Sequence, residues 1–106
     1  AMALSNQSGR LAELERYEEA LTAATRAAQM YEQLAAERPD AFLPALATVL
    51  NNQSTCLGEL ERYEEALAAI TRAIAILEGL ATRWPAAFTT DLERSLQLKA
   101  IIEGML

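Results

Sequence analysis

The chain has 106 residues, of which 52% are hydrophobic and 23% charged, and its net charge at pH 7 is −6. This composition is typical of one small globular domain. It argues against nucleic-acid binding, because eight arginines and the single Lys99 are scattered among acids. No run approaches the roughly 18 to 20 apolar residues of a membrane span, and no secretory signal pattern is present. Cys56 cannot form an internal disulfide, so we expect a protein of the reducing cytoplasm.

The sequence contains an internal repeat. Residues 3–48 and 49–94, aligned with an offset of 46, are identical at roughly 25 of 46 positions. The match is densest where LAELERYEEAL in the first copy meets LGELERYEEAL in the second, from Leu57 to Leu67. A period of a few tens of residues predicts units that bury their apolar faces against their neighbours. We therefore expect one domain over 1–106, with repeat one at 3–48, repeat two at 49–94 and a partial third repeat at 95–106.

Apolar residues recur at helical spacing along almost the whole chain, and no run alternates with the period of a strand. The pattern predicts five helices, at about 3–14, 17–37, 42–60, 63–83 and 89–105. Connections this short would make neighbouring helices antiparallel.

Five short signals set the expected helix boundaries. Glu15-Arg16 and Glu61-Arg62 are expected to separate the helices of each pair. Pro39 and Pro85 are expected to end the two longer helices, because a residue before proline is pushed out of the helical region. Thr90 to Glu93 has the form of a capping box that would open the last helix.

These residues resemble a known family. The first copy carries Leu4, Asn6, Ser8, Leu11, Tyr17, Ala20, Leu21, Ala24 and Ala27. The second carries Leu50, Asn52, Ser54, Leu57, Tyr63, Ala66, Leu67, Ile70 and Ala73. The spacing resembles the tetratricopeptide repeat, in a variant whose period is longer than the family's usual length of about 34 residues. The resemblance implies an all-α fold of antiparallel helical hairpins stacked as a right-handed α-solenoid, in which the first helix of each repeat lines a concave surface.

The chain departs from that family pattern at two pairs of positions. Glu15 and Glu61 replace the usual glycine of the turn. Gln7 and Gln53 stand where leucine is common, so we expect each amide to hydrogen-bond within its helix pair or between repeats.

No catalytic set is predicted. The chain has no histidine, the commonest general base and metal ligand. Cys56 therefore has no activating partner, and its counterpart Arg10 suggests a helix surface or rim and an inert thiol. The acidic pairs Glu18-Glu19 and Glu64-Glu65 diverge around the helix and are expected to face solvent. We expect no enzyme activity, no cofactor and no metal.

The candidate binding surface is the concave row implied by the resemblance. Its partner-binding candidates are Ser5, Asn6, Gly9, Asn51, Asn52, Thr55, Arg94 and Gln97. Two interpretations are open: the amides bind an extended or helical peptide, or Asn6 and Asn52 only satisfy neighbouring polar groups. Some family members clamp a peptide's terminal carboxylate with basic residues, but Ser5 and Leu98 stand where those would be needed. The leading prediction is a non-catalytic protein-interaction module, such as a scaffold or sensor arm of a larger protein.

The alternative function is a structural segment that associates with itself. The last predicted helix carries apolar residues that no following helix would cover. The self-association candidates are Leu92, Leu96, Ile101, Ile102, Met105 and Leu106, with Leu98 beside them. They predict a homodimer, a domain swap or continuation in a longer repeat array. Trp84, Phe88 and Phe42 follow the same logic, as an aromatic binding platform or as plugs between repeats.

Overall fold

The computed structural model describes the backbone of residues 2–106 and the side chains of residues 13–106. Four α-helices follow one another: α1 (Met2–Glu37), α2 (Pro39–Glu59), α3 (Tyr63–Arg83) and α4 (Pro85–Met105). Residues 2–106 contain no strand. The prediction of an all-helical fold is confirmed. The stacking of hairpins into a right-handed solenoid stays a prediction.

Pro39 and Pro85 each end one helix and begin the next, whereas Pro44 lies inside α2. Arg38 and Trp84 are the only residues between the flanking helices, and each has φ near −135° with positive ψ, as a residue before proline requires. Pro39 and Pro85 then stand at the first helical position, where a missing N–H costs nothing. The predicted starts at 42 and 89 are therefore late. The predicted capping box at Thr90 is wrong, because that residue lies inside α4.

The turn between α2 and α3 is tight and strained at one residue. Glu61 has φ 62°, the left-handed region that favours glycine. The turn is closed by the Arg62 N–H, which donates to the carbonyl oxygen of Leu57 at 2.8 Å. A non-glycine residue in this conformation costs roughly 1 to 2 kcal/mol. The packing of α2 against α3 holds Glu61 in this conformation.

The predicted break at Glu15-Arg16 is wrong. The same motif that turns at Glu61 continues as helix in the first copy, so the predicted helices 3–14 and 17–37 are one 36-residue helix. The chain thus has four helices rather than five over residues 2–106. At about 1.5 Å per residue α1 is about 54 Å long, which matches the 55 Å longest dimension of the molecule.

The core lies on both sides of α3. Each helix packs against the next along the chain, and α2 also touches α4. Ala66 and Ala73 of α3 have no exposed surface, and Ile70 lies between them in the same cluster. The buried Ser54 hydroxyl donates to the Ala66 carbonyl oxygen at 2.7 Å, which ties α2 to the first turns of α3. At the opposite end Arg83 donates to Asp40 at 2.7 Å, so the two helices run antiparallel.

Replacing Glu61 with glycine should stabilise the fold. Glycine adopts the left-handed conformation without steric cost, although it also gains freedom in the unfolded chain. We expect the free energy of unfolding in urea to rise by about 0.5 to 1 kcal/mol. Glu61→Ala is the matched control, and it should leave the free energy of unfolding unchanged or reduce it. A glycine variant less stable than the alanine variant would contradict the strain at this residue.

Candidate interaction groove

A groove lies between α2 and α4, the helices that open the second and third repeat units. It encloses about 240 Å³. Its walls come from both helices, with one residue of α3 at the base. The lining residues are Pro44, Ala47, Thr48, Asn51, Asn52, Leu77, Phe88, Asp91, Arg94 and Ser95. We call this surface the α2–α4 groove.

The floor of the groove is apolar. Ala47 and Leu77 are buried and belong to one cluster with Leu80. Phe88 is half-buried and packs against that cluster from α4. Because Ala47 is small, it leaves room above the cluster, which a larger side chain would fill. The floor can therefore accept an apolar group from a partner.

The walls of the groove carry hydrogen-bonding groups. Ser95 is only 2% exposed, and its hydroxyl donates to Oδ1 of the half-buried Asn51 at 3.0 Å. This contact fixes the Asn51 amide and occupies its oxygen, so the NH₂ group can donate elsewhere. Asn52, Asp91 and Arg94 are exposed along the rim. The groove thus combines amide donors with one acid and one base.

The structure brings together three of the predicted binding residues. Asn51, Asn52 and Arg94 line the groove. Thr55 and Gln97 are exposed but are not among the lining residues, and the Thr55 hydroxyl donates to the Asn51 carbonyl oxygen. The predicted Ser5, Asn6 and Gly9 lie outside the residues whose side chains are described.

Sequence reasoning missed three polar residues of the groove, Thr48, Asp91 and Ser95. Asp91 and Ser95 lie beside Arg94 on α4, one turn before it and one residue after it. The helical spacing from Arg94 was the signal that could have found Asp91. The capping-box interpretation of Thr90 to Glu93 gives Asp91 a structural role instead of a binding one.

The predicted apolar row on the last helix divides between two surfaces. Ile102 is buried in the core, and Leu92 and Leu98 are half-buried against it. The remaining members are exposed: Leu96, Ile101, Met105 and Leu106. Only these four are free to contact another molecule, and self-association through them stays a prediction.

The three aromatic residues Trp84, Phe88 and Phe42 have different surroundings. Phe88 packs inward, as a plug between units does. Trp84 is 41% exposed, and the Arg83 guanidinium lies 4.3 Å from its ring centroid, within range of a cation–π contact. Phe42 is half-buried, with its ring centroid 6.4 Å from that of Tyr31. Packing thus accounts for both phenylalanines.

Gln53 makes the inter-repeat contact expected of it. Its Nε2 donates to the Thr25 hydroxyl at 3.3 Å, from α2 in repeat two to α1 in repeat one. A second groove of about 410 Å³ surrounds this pair where α1, α2 and α3 meet. The exposed ion pair between Arg72 and Glu32 links α3 to α1 nearby. Gln7 lies outside the described side chains.

Cys56 does not lie on a surface or rim as predicted. It is a free thiol, 8% exposed. Burial raises the pKa of the Cys56 thiol above its ordinary value of 9.0; a backbone hydrogen bond lowers it, and the nearby Glu59 carboxylate raises it. The prediction from Arg10 was wrong, because the residue type at the equivalent position of one copy does not determine burial in the other.

Among the described residues no three His, Cys, Asp or Glu side chains come close enough to hold a metal ion. None of the helices searched is long and apolar enough to span a bilayer. No protein-family model, curated protein or solved structure matches this chain. Function must therefore be argued from the geometry of the molecule.

Replacing Gln53 with leucine should leave stability unchanged or raise it. The amide is half-buried and its bond to Thr25 is long, whereas leucine would add apolar contact with α1. Gln53→Ala is the matched control, since it removes the amide without that contact, and it should cost about 1 kcal/mol in urea unfolding. A loss above about 2 kcal/mol for the leucine variant would mean that the amide is structurally required.

The Cys56 thiol should react slowly with iodoacetamide in the folded protein. The thiolate is the nucleophile, and the raised pKa keeps the thiol protonated at neutral pH while burial blocks access. Alkylation should be much faster in urea, and in the folded state its rate should still be rising at pH 9, because the raised pKa lies above that value. Thr55→Cys on a Cys56→Ala background provides an exposed control on the same helix. Equal rates for the two thiols would contradict the burial of Cys56.

Proposed function

We propose that this chain is a non-catalytic protein-interaction module, similar to tetratricopeptide repeats, that binds a peptide segment in the α2–α4 groove. The observation that carries the proposal is the convergence of Asn51, Asn52 and Arg94 over an apolar floor. The repeat spacing supports it, because the groove lies between the first helices of successive units.

The groove has the hydrogen-bonding groups that an extended backbone requires. A carboxamide can donate to a peptide carbonyl and accept from a peptide N–H. Asn51 is held by Ser95 with its NH₂ group free, and Asn52 stands beside it on the rim. Preorganised amides lower the entropy lost when a flexible segment binds. The neighbouring floor takes one apolar side chain and fixes the register.

The charges of the groove favour an internal segment of a partner over a terminal carboxylate. Arg94 is the only base among the lining residues, and Asp91 lies one helical turn from it. The acid opposes a carboxylate that approaches Arg94, and the whole chain carries net charge −6. A neutral stretch of backbone avoids this repulsion.

The size of the groove also distinguishes a peptide from a small molecule. Small-molecule sites usually enclose about 300 to 1,000 Å³ and bury most of their ligand. The α2–α4 groove, at about 240 Å³, is smaller and lies open between two helices. It suits one or two residues of a longer segment that continues along α2.

The test is selection from a phage-displayed library of random peptides on the immobilised chain. Peptides that bind should lose affinity for an Asn52→Ala/Arg94→Ala variant by about tenfold or more, which corresponds to about 1.4 kcal/mol. The reason is loss of the rim amide and of the only base in the groove. Isothermal titration of the selected peptides measures the change.

Arg72→Ala is the matched control, because Arg72 is an exposed arginine that pairs with Glu32 on a different surface. It should bind the selected peptides as tightly as the parent chain, and all variants should melt at similar temperatures by circular dichroism. Peptides that bind the double variant with undiminished affinity, or a selection that enriches none, would overturn the proposal.

A further inference from the structure

One flank of α1 is largely uncovered by the part of the chain whose side chains are described, with Ala27 half-buried within it. Its residues are apolar and follow one another at helical spacing: Ala20, Ala23, Ala27 and Met30. We call them the open flank. Ala20 and Ala23 are exposed, and Met30 is 52% exposed although methionine is among the residues most often buried. The flank borders the core, because Tyr31, the residue after Met30 on the same helix, packs against the core cluster.

The second copy of the repeat shows this flank in its covered state. The counterparts, 46 residues later, lie on α3: Ala66, Ala69, Ala73 and Ile76. The three alanines are buried, and Ile76 is half-buried against the core clusters. Ala20 and Ala23 are thus exposed where the identical Ala66 and Ala69 are buried, and Ala27 is half-buried where Ala73 has no exposed surface.

The segment that covers the flank of α3 is known from the structure. Leu50, Ser54 and Leu57 of α2 lie against it: the leucines share its cluster, and the Ser54 hydroxyl bonds the Ala66 carbonyl. The first copy carries the same three residue types at the same offset, as Leu4, Ser8 and Leu11. The chain thus encodes a segment that matches the open flank.

That segment cannot reach the open flank of its own chain in this conformation. α1 continues as helix through Glu15 and Arg16, whereas the second copy reverses direction at Glu61. Reversal at Glu15 would require the left-handed conformation that Glu61 adopts, which a glutamate disfavours. Continuing the helix removes this strain and separates the segment from its binding surface.

We infer that the open flank is a docking surface for residues 3–14 of a second copy of this chain. Two copies of α1 would lie antiparallel about a two-fold axis near Glu15, each placing its own 3–14 segment on the open flank of the other. This rebuilds between chains the α2–α3 pairing seen within the second repeat. An exchange of identical elements closes as a symmetric dimer. The inference is independent of peptide binding in the α2–α4 groove.

Light scattering coupled to size exclusion tests the dimer. The chain should elute with twice its monomer mass of 11.6 kDa. Glu15→Gly should shift it to the monomer, because glycine weakens the helix at this position and permits the turn of the second copy. Glu61→Gly is the matched control and should leave the mass unchanged. A monomeric parent chain, or a Glu15→Gly variant that remains fully dimeric, would overturn the inference.

A disulfide test identifies the contact without relying on the glycine variant. Ser8→Cys and Ala20→Cys, on a Cys56→Ala background, place thiols at the counterparts of Ser54 and Ala66, which touch in the second copy. Mild oxidation should link two chains through these positions on a non-reducing gel. A link formed within one chain would show a closed hairpin instead. A dimer without any link would place the contact elsewhere, for example on α4. Either result would overturn the inference.

Discussion

Alanines at helical spacing let α3 approach α2 closely, and the α2–α4 groove depends on that pair of helices. Ala66 and Ala73 are fully buried, and the short side chains allow the Ser54 hydroxyl to reach the Ala66 carbonyl. Helix α4 packs against α3 and contacts α2, which sets the width of the α2–α4 groove. A larger residue at either alanine would push the helices apart, because packed interiors have little room for added volume. The width of the α2–α4 groove therefore depends on how the core is packed.

The repeated motif has two backbone conformations in one molecule. The segment from Leu11 to Leu21 is helical throughout in the first copy, including Glu15 and Arg16. In the equivalent segment of the second copy, from Leu57 to Leu67, the chain turns around Glu61. Local sequence alone cannot distinguish the two, since it is almost identical. The difference comes from tertiary packing: in the second copy the contacts of α2 with α3 offset the strain at Glu61. Intrinsic helix propensity decides the outcome where such contacts are not made, and glutamate and arginine are both good helix formers.

Periodicity was sufficient to predict the helical fold, and the two prolines predicted the ends of the longer helices before Pro39 and Pro85. Three of the groove residues came from the concave row that the family resemblance implies. It failed where one copy was used to infer the environment of the other. Cys56 was placed on a surface because its counterpart is Arg10, yet it is buried. The position of Asp91 in the groove and the bond between Ser95 and Asn51 depend on how α4 is rotated against α2. That rotation is set by the core on α3, and a one-dimensional pattern does not contain it.

The two proposed surfaces can operate together, because they share no residues. The groove is lined by α2, α4 and Leu77 of α3, whereas the open flank belongs to α1. Exchange of residues 3–14 would leave both grooves of a dimer accessible. A partner that carries two binding segments would then engage the second groove as an intramolecular step, at an effective concentration set by the spacer between the segments. Weak individual grooves would gain avidity without any new contact. Glu15 favours a continuous helix over a turn. It would thus determine whether one assembly presents one α2–α4 groove or two.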